Sequence, residues 1–305
     1  MSISIAIAVH NEEKNIIRCL ESVYDWVDEI IIVDGESTDK TVKLIKKQDT
    51  RNKIQVIHAS NPPMFHINKQ KALEACTGDW ILQLDADEVV SAELKQEIIQ
   101  VINPKQYQNL NDQNSLKINN LKFNENLKLK IENLQTAVAY NIPRLNYFLG
   151  KPLRKGGQYP DYTIRLYRND VAQFPCKDVH ENVIISSKFF QPPRLDMINN
   201  DRTSEVNLEI GHFKAPLLHY PYPTFQEYLS KWNRYNKLEA ERMKQKGIKP
   251  SLKLFIDYIF IKPPIWFFKT YFRHKGFIDG IPGFVFSLFS ALRYWRIYYY
   301  LNLIK

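Results

Sequence analysis

An α/β fold with a mixed, mainly parallel sheet flanked by helices is what this sequence predicts, and three observations carry the prediction. Apolar, β-branched runs alternate with helical spacings through the first hundred residues. The runs end in turns rich in Asp, Asn and Gly. Two of those ends, Val33-Asp34-Gly35 and Leu84-Asp85-Ala86-Asp87-Glu88, set carboxylates directly after apolar strands. Such alternation implies parallel pairing with right-handed crossovers. In open sheets of this kind ligands bind beyond the carboxyl ends of the strands.

The elements follow in order. Residues 2–9 form a strand, and residues 13–24 carry Ile16, Ile17, Leu20 and Val23 at helical spacing. Residues 29–33 are a β-branched run. Ser37-Thr38-Asp39 then supplies N-cap chemistry for a helix through Lys47. Residues 54–58 read as a strand, 68–75 as a helix and 80–84 as a fourth, buried strand. Residues 103–135 are rich in Asn, Lys, Leu and Gln and read as a surface insertion. Strands are expected at 137–142 and 162–167, with a basic, flexible loop from Lys151 to Gly157 between them. Residues 225–246 read as a long amphipathic helix with Tyr228, Leu229, Trp232 and Tyr235 on one side. The expected division is one α/β domain over 1–220 and a helical region over 221–305.

Charge places the second region. The chain of 305 residues has a formal net charge of +9. From Ser251 to Lys305 there are eight Lys/Arg against two acids, and 17 of the 39 aromatic residues lie there. Basic and aromatic residues interleaved with aliphatic ones point to a membrane surface and away from nucleic acid. Pro263-Pro264, Gly276, Asp279, Gly280 and Pro282 interrupt the apolar stretches. No run of ~20 clean apolar residues remains, so an interfacial or re-entrant helical pair is expected in place of a spanning helix. Cys19, Cys76 and Cys176 have no paired spacing, which argues against a disulfide framework and fits a reducing compartment. The apolar start, Ile3 to Val9, is too short for a signal peptide.

The chemistry concentrates at strand ends. Three carboxylates crowd the end of the fourth strand, and anions held together need a balancing cation. That suggests a divalent cation site which also holds a phosphorylated ligand. Glu88 reads as a first-turn helix acid. Farther on, Asp178-Val179-His180-Glu181 joins two acids and an imidazole.

The motifs AVHNEE, IIIVDGESTDKT and ALEACTGDWILQLDADE, in that order over residues 1–95, resemble the family 2 glycosyltransferases of GT-A (Rossmann-like) fold. GGQYPDYTIRLYR, KDVHENV and LLHYPYPTFQEYLSKWNRYNKLEA, over roughly 156–240, are similar to the subgroup resembling lipopolysaccharide-core β-1,4-glucosyltransferases. The insertion at 103–135 departs from that pattern. The resemblance implies an inverting, metal-dependent transfer of sugar from a nucleotide-sugar donor, a UDP sugar first among them, to a lipid-linked glycan acceptor of the cell envelope. It implies Mg²⁺ or Mn²⁺ with Asp87 as ligand, Asp85 on the ribose or a metal-bound water, and His180 completing the metal shell or meeting the diphosphate. Asp34 would accept a hydrogen bond from the base. Val9, Asn11 and Glu12 would line the nucleotide, and Lys71 and Arg165 would face phosphate. Glu181 is the candidate base for the acceptor hydroxyl, with Asp178 in reserve. Tyr159 and Asp161 are candidates for acceptor contact. The expected location is the cytoplasm, peripheral to the inner face of the cell membrane. Two alternatives stand beside this reading. Transfer to a polyprenyl phosphate would need little or no base, because that acceptor is already an anion. A non-catalytic nucleotide-sugar-binding scaffold would need neither metal-site carboxylate.

Overall fold

The computed structural model describes residues 1–103, 137–176, 182–186, 209–222 and 224–303. The surface insertion expected at 103–135 lies outside these residues except for Asn103. The chain divides into two compact units, Met1–Pro143 with Tyr162–Leu217, and Arg144–Asp161 with Leu218–Lys305.

The first unit is the α/β body. Its elements are β1 (Ile3–Val9), α1 (Ile16–Val23), β2 (Glu29–Gly35), α2 (Thr41–Gln48), β3 (Ile54–Ala59), α3 (His66–Glu74), β4 (Trp80–Asp85), β5 (Glu88–Val90) and α4 (Ala92–Ile102). β6 (Ala139–Phe148) opens within it, and β8 (Asp161–Arg168), β9 (Ala172–Gln173), β10 (Ile184–Ile185) and β11 (Ile210–His212) follow. The sheet runs in the order β3-β2-β1-β4-β8-β6. The first four strands are parallel and β8 is antiparallel to β4. The sheet is therefore mixed but mainly parallel, as the alternation predicts.

Period-two alternation sorts the side chains onto two faces. Ile3, Ile5, Ile7, Ile30, Ile32, Leu82 and Leu84 pack with α1 and α4 on one face. Ala6, Ile31, Val33 and Ile81 pack with Ala72, Leu73 and Cys76 on the other. A sheet buried on both faces explains the near-continuous apolar runs of β1, β2 and β4. Ser4 is the polar exception. Its hydroxyl donates to the Glu29 carboxylate and accepts from Gly78 N at 2.8 Å. A Cβ at Gly78 would lie 2.5 Å from that hydroxyl oxygen, so only glycine fits the turn into β4.

Register sets the strand ends level. Ala8 pairs with Val33 on one side and Asp85 on the other, and Val9 pairs with Asp34. Asp34 and Asp85 thus flank the end of β1.

The second unit is mainly helical. It holds the end of β6, β7 (Lys151–Pro152), most of β12 (Leu217–His219) and three helical segments. These are α5 (Phe225–Gln245), α6 (a helical run over Leu252–Arg273 with wide π-type turns) and α7 (Gly280–Leu303, entered through a 3-10 turn at Gly276–Asp279). Thr224 caps α5 by accepting from Glu227 N at 3.2 Å. The buried stripe of α5 runs through Tyr228, Asn236, Ala240 and Met243. Tyr235, predicted for the packed side, is exposed. Trp232 donates its indole N–H to Phe289 O at 3.1 Å. Among the described residues no single helix is long and apolar enough to cross a bilayer. Leu252–Arg273 and Gly276–Leu303, bent by 70° at their junction, have the length and composition only as a pair.

Candidate active site

The antiparallel placement of β8 builds the centre of the site. Leu82 pairs with Leu166, so the next step brings Gln83 beside Arg165. The Arg165 guanidinium donates to the Gln83 side-chain amide oxygen, to Asp85 Oδ2 at 2.7 Å and to Glu88 Oε1 at 2.6 Å. From α3, Lys69 Nζ reaches Asp85 Oδ1 at 2.5 Å. Glu88 returns a contact to the turn, accepting from Asp85 N at 2.9 Å. Two cations and two carboxylates thus close a nearly dry cluster, with Glu88 and Arg165 buried and Asp85 partly exposed.

The electrostatics follow from that geometry. Burial opposes the charge on Asp85, but Arg165 and Lys69 outweigh it and hold the carboxyl well below the usual carboxylate range. Burial likewise opposes the charge on Arg165, and Asp85 and Glu88 overcome it and raise its pKa. Beneath the turn Cys19 Sγ lies 3.6 Å from Asp85 O. Its thiol is pushed up by burial, then by Glu88, Asp87 and Asp85.

This arrangement corrects the reading of Glu88. It does not start a helix. The chain turns through Ala86 and Asp87 and resumes as β5, and the next helix is capped by Ser91, which accepts from Leu94 N at 3.1 Å. Arg165 spends its hydrogen bonds on the cluster rather than reaching outward, and Asp85 is already matched by two cations. Asp87 stands at the apex of the two-residue turn, half-buried.

A second assembly joins the loops after β1 and β2. Asn11 takes a left-handed backbone, φ 56°, which Asn tolerates better than most residues. Its side-chain oxygen accepts from Thr38 N at 2.8 Å and Asp39 N at 3.3 Å, and its own N–H donates to Ser37 Oγ at 2.9 Å. Glu12 N donates to Thr41 Oγ1 at 2.8 Å. His10 Nδ1 lies 2.6 Å from Gly35 O. Asp34 is buried. One oxygen accepts from Ser37 N at 3.3 Å and the other lies 3.4 Å from His58 Nδ1. Val9 is buried at the end of β1.

Lys71 lies outside these assemblies, exposed on α3. Lys69, which sequence reasoning missed, is the α3 cation in the cluster. The two are about 200° apart around the helix. The signal was present: His66, Lys69, Ala72, Leu73 and Cys76 form one buried stripe. Asp178, His180 and Glu181 lie outside the described residues. Asp161 is held by Arg144, at 3.0 and 2.7 Å.

No group of three or more His, Cys, Asp or Glu side chains capable of holding a metal forms among the described residues. Asp87 with Asp85 would still suit Mg²⁺, which is usually held by one or two carboxylates together with substrate phosphates and water. With Asp85 matched by Arg165 and Lys69, a cation held at this turn would not face three bare carboxylates repelling one another.

The pattern described as glycosyl transferase family 2 matches residues 4–172, more than half of the 305. The chain belongs to this family. The motifs AVHNEE, VDGESTDKT and LDADE all fall inside the matched span, and the fold of this family 2 glycosyltransferase is GT-A. It is similar to an uncharacterized glycosyltransferase of Rickettsia typhi, 26% identical over 97% of this chain and 85% of the relative. It is also similar to the lipopolysaccharide core biosynthesis glycosyltransferase LpsC of Rhizobium meliloti, 24% identical over 94% of this chain and 89% of the relative. Among solved structures it is similar to S. aureus TarS 1-349 in complex with UDP-GlcNAc, 13% identical, over 96% of this chain and 81% of that one, with a TM-score of 0.43.

Proposed function

We propose that this family 2 glycosyltransferase moves a sugar, with inversion, from a nucleoside diphosphate sugar to a lipid-linked glycan of the cell envelope, lipopolysaccharide core or a close counterpart. The observation that carries this is the β4 turn, where Asp85 is neutralised by Arg165 and Lys69 and Asp87 stands next to it. The relative named for lipopolysaccharide core biosynthesis supports the acceptor class.

In this reading Asp87 holds Mg²⁺ or Mn²⁺, with Asp85 on the ribose side and His180 as a further ligand. The ion supplies charge neutralisation for the departing diphosphate. Asp34 accepts from the base N–H, and the latched loops carrying Val9, Asn11 and Glu12 line the nucleotide. Lys69 takes the place beside the phosphates expected of Lys71. Glu181 accepts the acceptor hydroxyl proton as that oxygen bonds the anomeric carbon and the bond to the phosphate oxygen breaks; Asp178 is the alternative base. The work takes place at the inner face of the cell membrane.

A panel of nucleotide sugars tests the donor class. Thermal unfolding with each sugar, with Mg²⁺ or Mn²⁺, is expected to rise for one uridine diphosphate sugar and to fall back on chelation. A ligand at a hundred times its dissociation constant adds ~2.7 kcal/mol. A panel in which no nucleotide sugar raises the unfolding temperature contradicts the proposal.

A further inference from the structure

The strongest surface feature unused by the chemistry lies wholly within the second unit, where α6 turns into α7. On α6, Ile261, Ile265, Phe268 and Phe272 recur at helical spacing and all face outward, Phe268 at 62% exposure. A helix on a soluble body normally turns its polar face to water. The pattern continues past the bend with exposed Phe277, Ile278 and Ile281, the last at 76%. The other side of the same helices is well packed: Tyr271 meets Phe284 at 5.7 Å and Trp266 meets Tyr294 at 6.0 Å. The outward stripe is thus not a sign of poorly formed helices.

The basic loop is fastened to this bend. Arg154 N and Lys155 N donate to the two oxygens of Asp279 at 3.1 and 2.8 Å, and Gly156 N donates to His274 O at 2.9 Å. The bend to which the loop is fastened is itself closely packed, since a Cβ at Gly283 would lie 2.0 Å from Gly276 O. The clamp brings Lys151, Arg154 and Lys155 together with Arg273 and Lys275, and all five are exposed. None of the five makes an ion pair among the described residues. The one acid at the bend, Asp279, is turned inward onto backbone N–H groups. Along α6, by contrast, Lys262 is matched by Asp257 at 2.8 Å. Positive charge therefore concentrates at the bend, around the exposed apolar residues.

We propose that the clamped loop and the bend together form a docking site for an anionic bilayer, with phosphate headgroups on Arg154, Lys155, Arg273 and Lys275 and acyl boundary on Phe272, Phe277, Ile278 and Ile281. Apolar residues ringed by cations match a surface whose headgroups are negative and whose interior is apolar. The inference rests on the membrane part of the proposed function and is independent of the donor. It adds a site in which the loop, far upstream in sequence, supplies the headgroup contacts.

Sedimentation of the full-length protein with phosphatidylcholine vesicles, with and without phosphatidylglycerol, tests it. Binding is expected to require phosphatidylglycerol. The R154Q/K155Q double variant is expected to bind about 25-fold more weakly, about fivefold per cation, while K46Q/K47Q on α2 serves as a charge-matched control with smaller loss. D279A decides on the clamp. If Asp279 acted only as a repelling acid, its removal would strengthen binding; if it holds the loop in place, its removal weakens binding. Unchanged circular dichroism and melting confirm that each variant folds. Failure of the wild-type protein to bind either vesicle overturns the membrane reading as well. Equal binding by R154Q/K155Q and wild type, equal binding to both vesicles, or tighter binding by D279A overturns this inference alone.

Discussion

Arg165→Met is expected to destabilise the first unit by about 3–5 kcal/mol, the range for removing one partner of a buried ion pair. The guanidinium answers Asp85, Glu88 and Gln83 at once, and the Glu88 side chain has no exposed surface. Methionine matches much of the volume but withdraws the guanidinium from the fully buried Glu88 and from Asp85, which keeps Lys69. Urea unfolding at neutral pH reads the effect as a fall in midpoint with little change in slope. The pH dependence has a definite sign. The folded pKa of Asp85 is depressed below its unfolded value, roughly 3.9, so its contribution is complete above that value. It is lost as pH falls toward the folded pKa. The variant, with Asp85 less depressed, is expected to lose less on acidification than wild type. An unchanged midpoint for Arg165→Met would mean that the cluster contributes nothing to stability.

The same cluster marks the limit of what the sequence discloses. Strands and helices of the first unit are legible because apolar spacing of two or near 3.6 residues leaves a direct trace in the chain. The strand ends are legible for the same reason, and so are Asp34, Asp85 and Asp87 as residues at one edge. What is not legible is the partner of each charge. Arg165 meets Asp85 across a sequence separation of 80 because β8 runs antiparallel to β4, and no local period announces that pairing. Glu88 invites a helix-start reading from its place after Asp-x-Asp, yet the chain turns in two residues and resumes as a strand. Lys69 and Lys71 differ only in which face of α3 they occupy, and the apolar stripe that separates them is broken by Lys69 itself. In the second unit, helix existence follows from composition. Which face packs does not, since Tyr228 and Tyr235 are equally aromatic and only one is buried.

Asp87→Ala is expected to lower transfer by about 10²–10³-fold while leaving unfolding close to wild type. The side chain stands half-buried at the apex of a two-residue turn, and its removal leaves the ion pairs of Arg165 with Asp85 and Glu88 in place. In the proposed mechanism it is the carboxylate that holds the ion, and loss of charge stabilisation at a developing oxyanion typically costs about 10²–10³ in rate from a single donor. Release of nucleoside diphosphate in the presence of acceptor-bearing membranes measures the effect. A variant with wild-type turnover, in metal and in chelator alike, would remove Asp87 from the reaction. A variant that loses both turnover and fold would assign Asp87 to the structure instead.

Calorimetric titration of the wild-type protein with uridine diphosphate, in Mn²⁺ and in excess chelator, and of Asp87→Ala in Mn²⁺, tests most directly whether the β4 turn is a metal-dependent diphosphate site. Binding is expected in Mn²⁺, collapsing on chelation and equally weak in Asp87→Ala. Binding of the same strength in all three titrations would contradict it.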